Sequence, residues 1–104
     1  MKLKDNYKLI KPSQFYVVHM WMQTNLHLTG IKLHTYAVIY GFTQAAGSVY
    51  NGSLDFISEM TGYSKQKICS CLKELVEDNL IYKKVLKNKP QYYCNLDMIN
   101  LGLM

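Results

Sequence analysis

A chain of 104 residues with 49% hydrophobic and 18% charged side chains is long enough to bury one core and too apolar to be disordered. Its twelve basic residues, all lysine, outweigh seven acids to give a net charge of +5, the balance of a protein whose partner is a polyanion. No run reaches the ~18 apolar residues of a membrane span, the lysine-bearing start lacks the apolar stretch of a signal peptide, and Cys69, Cys71 and Cys94 lack the C-x-x-C spacing of zinc modules. A cytoplasmic protein with reduced thiols, no cofactor and no structural metal is expected.

Residues 1–14 are polar and basic, with Lys2, Lys4, Lys8 and Lys11, and read as a loosely held N-terminal arm. Residues 15–18 are short and β-prone, and residues 20–26 suit one or two helical turns that carry Trp21 as a core or lid residue. Thr29 is placed to cap a helix running from Gly30 to about Gln44. Leu33, Tyr36, Ala37, Val38, Ile39, Tyr40 and Phe42 make that helix apolar nearly all round, so it is central. Gly41 inside it costs about 1 kcal/mol against alanine, which points to close approach by another element. Residues 45–48 then end the helix, and Val49-Tyr50 with Asn51-Gly52 reads as a very short strand and a turn.

From Ser53 onward the pattern sharpens. Residues 53–61 form a short amphipathic segment, Gly62, Tyr63 and Ser64 break it, and residues 65–78 restart it, so two helices meet at one tight turn. In the second helix Ile68, Leu72, Leu75 and Val76 fall on one face, while Gln66, Ser70, Lys73 and Glu77 fall on the other. Ser53 and Ser64 are N-caps and Gly62 supplies the backbone freedom of the turn. In the helix-turn-helix motif, which this pair resembles, a small residue four positions before the turn glycine lets the helices touch; Ser58 stands there, and the resemblance implies Ile57 and Ile68 as interhelical core, with Cys71 facing inward beside Leu72. Residues 80–86 and 91–96 are β-prone runs around a polar turn over 87–90, a hairpin. The expected class is α+β, mainly α: a three-helix core with a short strand and a C-terminal hairpin over residues 15–96, then a tail over 97–104.

The charges of the second helix run against its own dipole. Lys65 and Lys67 stand at the start and Glu74, Glu77 and Asp78 toward the end, each mismatch costing ~0.3–1 kcal/mol where exposed. A helix that points its N-terminal end at phosphates needs that order, although an ordinary solvated face contains the same residues. Gln66 and Ser70 lie exposed on its leading half, flanked by Lys65, Cys69 and Lys73; glutamine bonds adenine bidentately, and lysine bonds guanine or a phosphate. Lys83, Lys84, Lys87 and Lys89 fill seven positions of the hairpin with no acid among them. The candidate DNA-binding set is therefore Ser64, Lys65, Gln66, Lys67, Cys69, Ser70 and Lys73 on the helix, with Lys83, Lys84, Lys87 and Lys89 on the hairpin. Without arginine, discrimination between sequences is modest or assisted by DNA shape, unless the missing arginine reflects a biased genome.

Two other chemistries are weighed against this one. Tyr82, Tyr92 and Tyr93, interleaved with Lys83 and Lys84, form either a stacking platform for single-stranded bases or simply a half-buried sheet; alternation puts Tyr92 and Tyr93 on opposite faces. A metal or redox site at Cys69 and Cys71 with His27 or His34 is disfavoured, since residues two apart on a helix point ~200° apart. No phosphate loop, HExxH or nucleophile elbow is present, and His19, His27 and His34 form no catalytic spacing, so no enzyme is expected.

Residues 61–81, TGYSKQKICSCLKELVEDNLI, resemble the recognition-helix signature of winged helix-turn-helix DNA-binding proteins, with the hairpin as the wing. Upstream, residues 15–22, 33–42 and 50–54 resemble the N-terminal domain of plasmid and phage replication initiators of the replisome-organizer type. The resemblance covers roughly 15–96 and implies double-stranded DNA binding through recognition helix 64–78 and wing 80–96, in replication initiation, with replication proteins or a second copy of the chain as further partners. Transcriptional repression is the alternative on the same fold, with little room after Leu96 for a dimerisation helix. A protein-interaction module presenting the same hairpin is the rival of a different class.

Overall fold

The computed structural model describes residues 16–43 and 49–95. The arm over 1–14, Phe15, the helix end at 44–48 and the tail from Leu96 lie outside the described residues. Six elements follow one another: α1 Met20–Thr24, α2 Gly30–Phe42, α3 Leu54–Thr61, α4 Lys65–Glu77, β1 Ile81–Leu86 and β2 Lys89–Cys94.

The central helix is α2. Leu33, Tyr36, Ala37, Val38 and Ile39 are buried along it, and α1, α3, α4 and β2 all pack on it. Met22, Leu28, Ile57, Ile68, Leu72, Leu75, Leu80 and Ile81 complete the core, each large aliphatic side chain contributing roughly 1.5–3 kcal/mol by leaving water. Trp21 is a lid on this core: its ring meets Tyr36 and Tyr40 edge-on at 6.1 and 5.2 Å and stacks on His19.

Three expectations for this half are corrected. Residues 16–18 form no strand: Tyr16 and Val18 pack on the core instead, and the Tyr16 hydroxyl lies 2.8 Å from His34 Nδ1. Thr29 stands at the N-cap in extended conformation, yet its side chain makes no capping bond. Gly41 is exposed, and among the described residues nothing lies within 4 Å of where its Cβ would be, so no described element approaches it; it falls on the solvent side of α2.

The helix-turn-helix follows its sequence signals. Ser53 Oγ accepts from Phe56 N–H at 3.2 Å and Ser64 Oγ from Lys67 N–H at 3.3 Å, satisfying one orphan donor at each helix start. Between them Gly62, at φ 82°, takes the left-handed conformation and its N–H returns to the Ser58 carbonyl at 2.8 Å. The Ser58 hydroxyl donates to the Tyr63 carbonyl at 2.6 Å, so the small side chain also ties the turn. On α4, Ile68, Cys71, Leu72 and Leu75 are buried, the dry face read from the spacing.

A Schellman motif ends α4. Leu80 N–H bonds the Leu75 carbonyl and Asn79 N–H the Val76 carbonyl, both at 3.0 Å, with Asn79 at φ 61° in the left-handed position. That reversal throws the chain into β1, which pairs antiparallel with β2 from Ile81–Cys94 out to Leu86–Lys89. The turn is tighter than a four-residue loop. Lys87 and Asn88 alone form it at φ 50° and 64°, the doubly positive pattern whose twist suits a two-residue hairpin, and Lys89 and Pro90 already belong to β2. Tyr50 adds the expected short strand as one bridge to Tyr92, its N–H bonding the Tyr92 carbonyl at 2.6 Å and its carbonyl accepting from Tyr92 N–H at 2.9 Å.

Candidate nucleic-acid interface

The helix α4 presents Lys65, Gln66, Lys67, Ser70 and Lys73 to solvent, with Ser64 exposed at its N-cap. Two of these side chains are already engaged. Ser64 Oγ is held in the cap, and Ser70 Oγ donates to the Gln66 carbonyl at 3.2 Å, so each reaches a ligand only with its remaining lone pairs or after rotating. Cys69, expected to flank the exposed face, is half-buried and turns toward the hairpin.

Two of the reversed charges find partners on other helices. Lys65 Nζ stands 2.8 Å from Asp55 of α3, and Asp78, the residue after α4, accepts from Lys32 of α2 at 3.2 Å. The reversal is therefore stabilised in part by tertiary ion pairs, without any nucleic acid. Little in the sequence signals these partners, which lie 10 and 46 positions away and are fixed only by how the helices cross. Lys67, Lys73, Lys83, Lys84, Lys87 and Lys89 join neither of the ion pairs found among the described residues.

Between α3, α4 and the hairpin lies an open cleft of about 490 Å³. Leu54 and Ile57 line it from α3, Cys69 and Leu72 from α4, and Lys83, Lys89, Pro90 and Tyr92 from the hairpin, with residues 50–53 as its floor. Two lysines and no carboxylate make this wall positive. Burial raises the Tyr92 hydroxyl above its ordinary range, helped by the neighbouring Cys69 thiol. Burial pushes Tyr50 up to about 12, and its hydroxyl donates to the Ser53 carbonyl at 2.7 Å. Gly52 has to be small here, because a Cβ would meet the Tyr50 hydroxyl oxygen at 2.6 Å.

The four hairpin lysines are exposed but do not share one face. Cross-strand partners lie on one side of a ribbon, so Lys83, paired with Tyr92, looks toward the cleft, while Lys84, paired with Gln91, looks away. Lys87 is in the turn itself and Lys89 stands opposite Leu86 on the cleft's rim. The structure thus brings Cys69, Lys83 and Lys89 together, leaves Lys84 apart, and adds residues 50–53, which the candidate set did not contain. The strand period in β1 already carried the separation of Lys83 from Lys84.

Among the described residues no group of three or more His, Cys, Asp or Glu could hold a metal ion, and no helix is long and apolar enough to cross a membrane. No protein-family model matches the sequence, and no curated protein matches it. Among solved structures the fold is similar to a single-substitution mutant of S. aureus MepR bound to an oligodeoxyribonucleotide, with a TM-score of 0.60 and 18% identity over 78% of this chain and 57% of that one. The chain spans less than two thirds of that neighbour's length, and the likeness shows the fold: a winged helix-turn-helix, mainly helical, with a two-stranded wing.

Proposed function

We propose that the chain binds double-stranded DNA, with α4 entering the major groove and the hairpin lying along the adjoining backbone. The observation that carries this reading is the cleft that α4 shares with the hairpin, whose charged residues are Lys83 and Lys89 and whose walls hold no carboxylate. A phosphate backbone passing there meets cations on the wing while Gln66 and Lys73 are exposed to meet base edges, and Ser70 can join them with its remaining lone pairs or after rotating. The similar fold of a MepR mutant, in a structure bound to an oligodeoxyribonucleotide, supports DNA as the partner.

Replication initiation of the plasmid or phage type is the role favoured by the upstream sequence resemblance, and transcriptional control is the alternative for the same interface. Selection of bound sites from random duplexes gives a preferred site with which to ask whether a plasmid carrying it replicates only when the protein is present, or a promoter carrying it is silenced. Binding itself is tested by fluorescence anisotropy. Gln66→Ala is expected to cost ~1–3 kcal/mol on a preferred site while leaving random duplex and melting temperature nearly unchanged. Equal weakening on both duplexes removes Gln66 from base readout, and binding to no duplex at low salt turns the reading toward a protein-interaction module.

A further inference from the structure

The hairpin has two sides, and the duplex reading uses one of them. Ile81, Lys83 and Val85 with Cys94, Tyr92 and Pro90 form the side turned to the helices, where Ile81 and Cys94 are buried and Tyr92 lies against the core. The other side carries Tyr82, Lys84 and Leu86 from β1 and Tyr93 and Gln91 from β2, while Lys89, opposite Leu86, reaches the cleft's rim. None of its apolar members belongs to the core, and Tyr82 and Leu86 remain 40% and 46% exposed. The Tyr82 and Tyr93 rings sit side by side with centroids 5.2 Å apart and planes inclined at 46°.

A solvent side built from two tyrosines, a leucine, a lysine and a glutamine, with no acid, is not what hairpin formation alone demands. Threonine would serve the strands as well and hold less apolar surface in water. Aromatic rings beside cations and an amide suit bases and phosphates together. In a duplex the faces of the bases are covered by their neighbours, so rings can stack only where a strand is unpaired. We infer that this outer side of the wing is a stacking platform for single-stranded nucleic acid, with Tyr82 and Tyr93 beneath about two bases and Lys84 against the phosphates. The site is separate from α4, so it stands whether or not the duplex reading does.

The full chain is titrated at low salt with a labelled oligothymidylate of about twelve nucleotides, an abasic strand of the same length, and a duplex. Oligothymidylate is expected to bind more tightly than the abasic strand, since stacking requires bases. Tyr82→Leu keeps an apolar side chain on the strand but removes the ring, and is expected to weaken oligothymidylate about five- to 100-fold while leaving the duplex unchanged. Tyr82→Phe is expected to bind as the wild type does, and Gln66→Ala to leave single-strand affinity intact. Equal affinity for the abasic strand overturns the inference, as does a folded Tyr82→Leu with wild-type affinity or with equal losses on single strand and duplex. No binding of oligothymidylate at all overturns it too and leaves the face to an acidic protein. Should Tyr82→Leu fail to fold, the comparison of oligothymidylate with the abasic strand on the wild type still decides.

Discussion

The helix-turn-helix and the wing use their side chains differently. On α4 every third or fourth residue is consumed by the core, and Ile68 and Leu75 are fully buried. On β1 only Ile81 is buried, and the five residues after it are exposed, Val85 and Leu86 among them. The first region's sequence is explained by folding. The second's is not: the strands need β-formers and the turn needs residues that accept positive φ, but neither needs four lysines. Lys87 makes the point most directly, since at φ 50° an asparagine or glycine would suit the backbone better.

The comparison breaks first at Leu72. Leu72→Asp or Ile68→Asp places an unpaired charge in the core and should cost about 4 kcal/mol or more, a large share of the stability of a small domain. Far-UV circular dichroism should then show no cooperative melt. Cooperative melting at the wild-type temperature would mean that the buried and exposed faces of α4 had been exchanged.

Tyr50 joins the two regions, and alkali should separate them. Its hydroxyl is held up to about 12 by burial, against 10.0 for an unburied tyrosine, so the folded state favours the neutral form. This contribution is complete below pH 10 and disappears as the pH climbs toward 12, because the unfolded chain releases a proton that the folded chain still holds. Burial raises Tyr36, Cys71 and Cys94 as well, with the same sign, and the two thiols bring the onset down toward pH 9. The free energy of unfolding measured with urea should fall over this range, by about 2–3 kcal/mol for Tyr50 alone at about 1.4 kcal/mol per pH unit. Tyr50→Phe should show a shallower alkaline fall, and an identical profile would assign the loss to the other groups.

The wing is tested by separating stability from binding. Lys87→Asn gives the turn a residue that tolerates positive φ, and Lys89→Ala removes an exposed charge, so the double variant should melt at or slightly above the wild-type temperature. If both lysines lie along phosphates, the slope of log affinity against log salt should fall by about two, on preferred and random duplex alike. An unchanged slope would leave the hairpin tip a solubilising one and move the backbone contacts to Lys2, Lys4, Lys8 and Lys11.

What can be read in advance follows the range of the interactions. Ser53, Ser64, Gly62 and the Ile68, Leu72 and Leu75 stripe act within a turn or two of chain, and the structure has each in its expected role. The turn at Lys87 and Asn88 is blurred in the sequence because Lys89 and Pro90 are turn-like residues that pair as a strand. Gly41 misleads because whether a glycine is needed depends on what crosses the helix there, and none of the described residues does. The cleft is illegible for the same reason. Residues 50–53, Cys69 and Lys83 meet only once the Tyr50–Tyr92 bridge has closed the sheet over α3 and α4.

The ion pair between Asp55 and Lys65 gives the smallest test and the most pointed one, because it sits where α3 meets the leading end of α4. Lys65 is the first residue of α4, and Asp55 is the acid in the first turn of α3. Both side chains are well exposed, so the pair is screened and adds little to the fold. For DNA it works in the other direction: Asp55 neutralises a lysine that α4 would otherwise aim at a phosphate, and adds a negative charge of its own nearby. Asp55→Asn keeps the shape and removes the charge. Melting should be almost unchanged, while every duplex is bound more tightly and the salt slope steepens by about one as Lys65 is released to the backbone. Binding and slope unchanged would place the leading end of α4 away from phosphates and leave the approach to DNA to the hairpin alone.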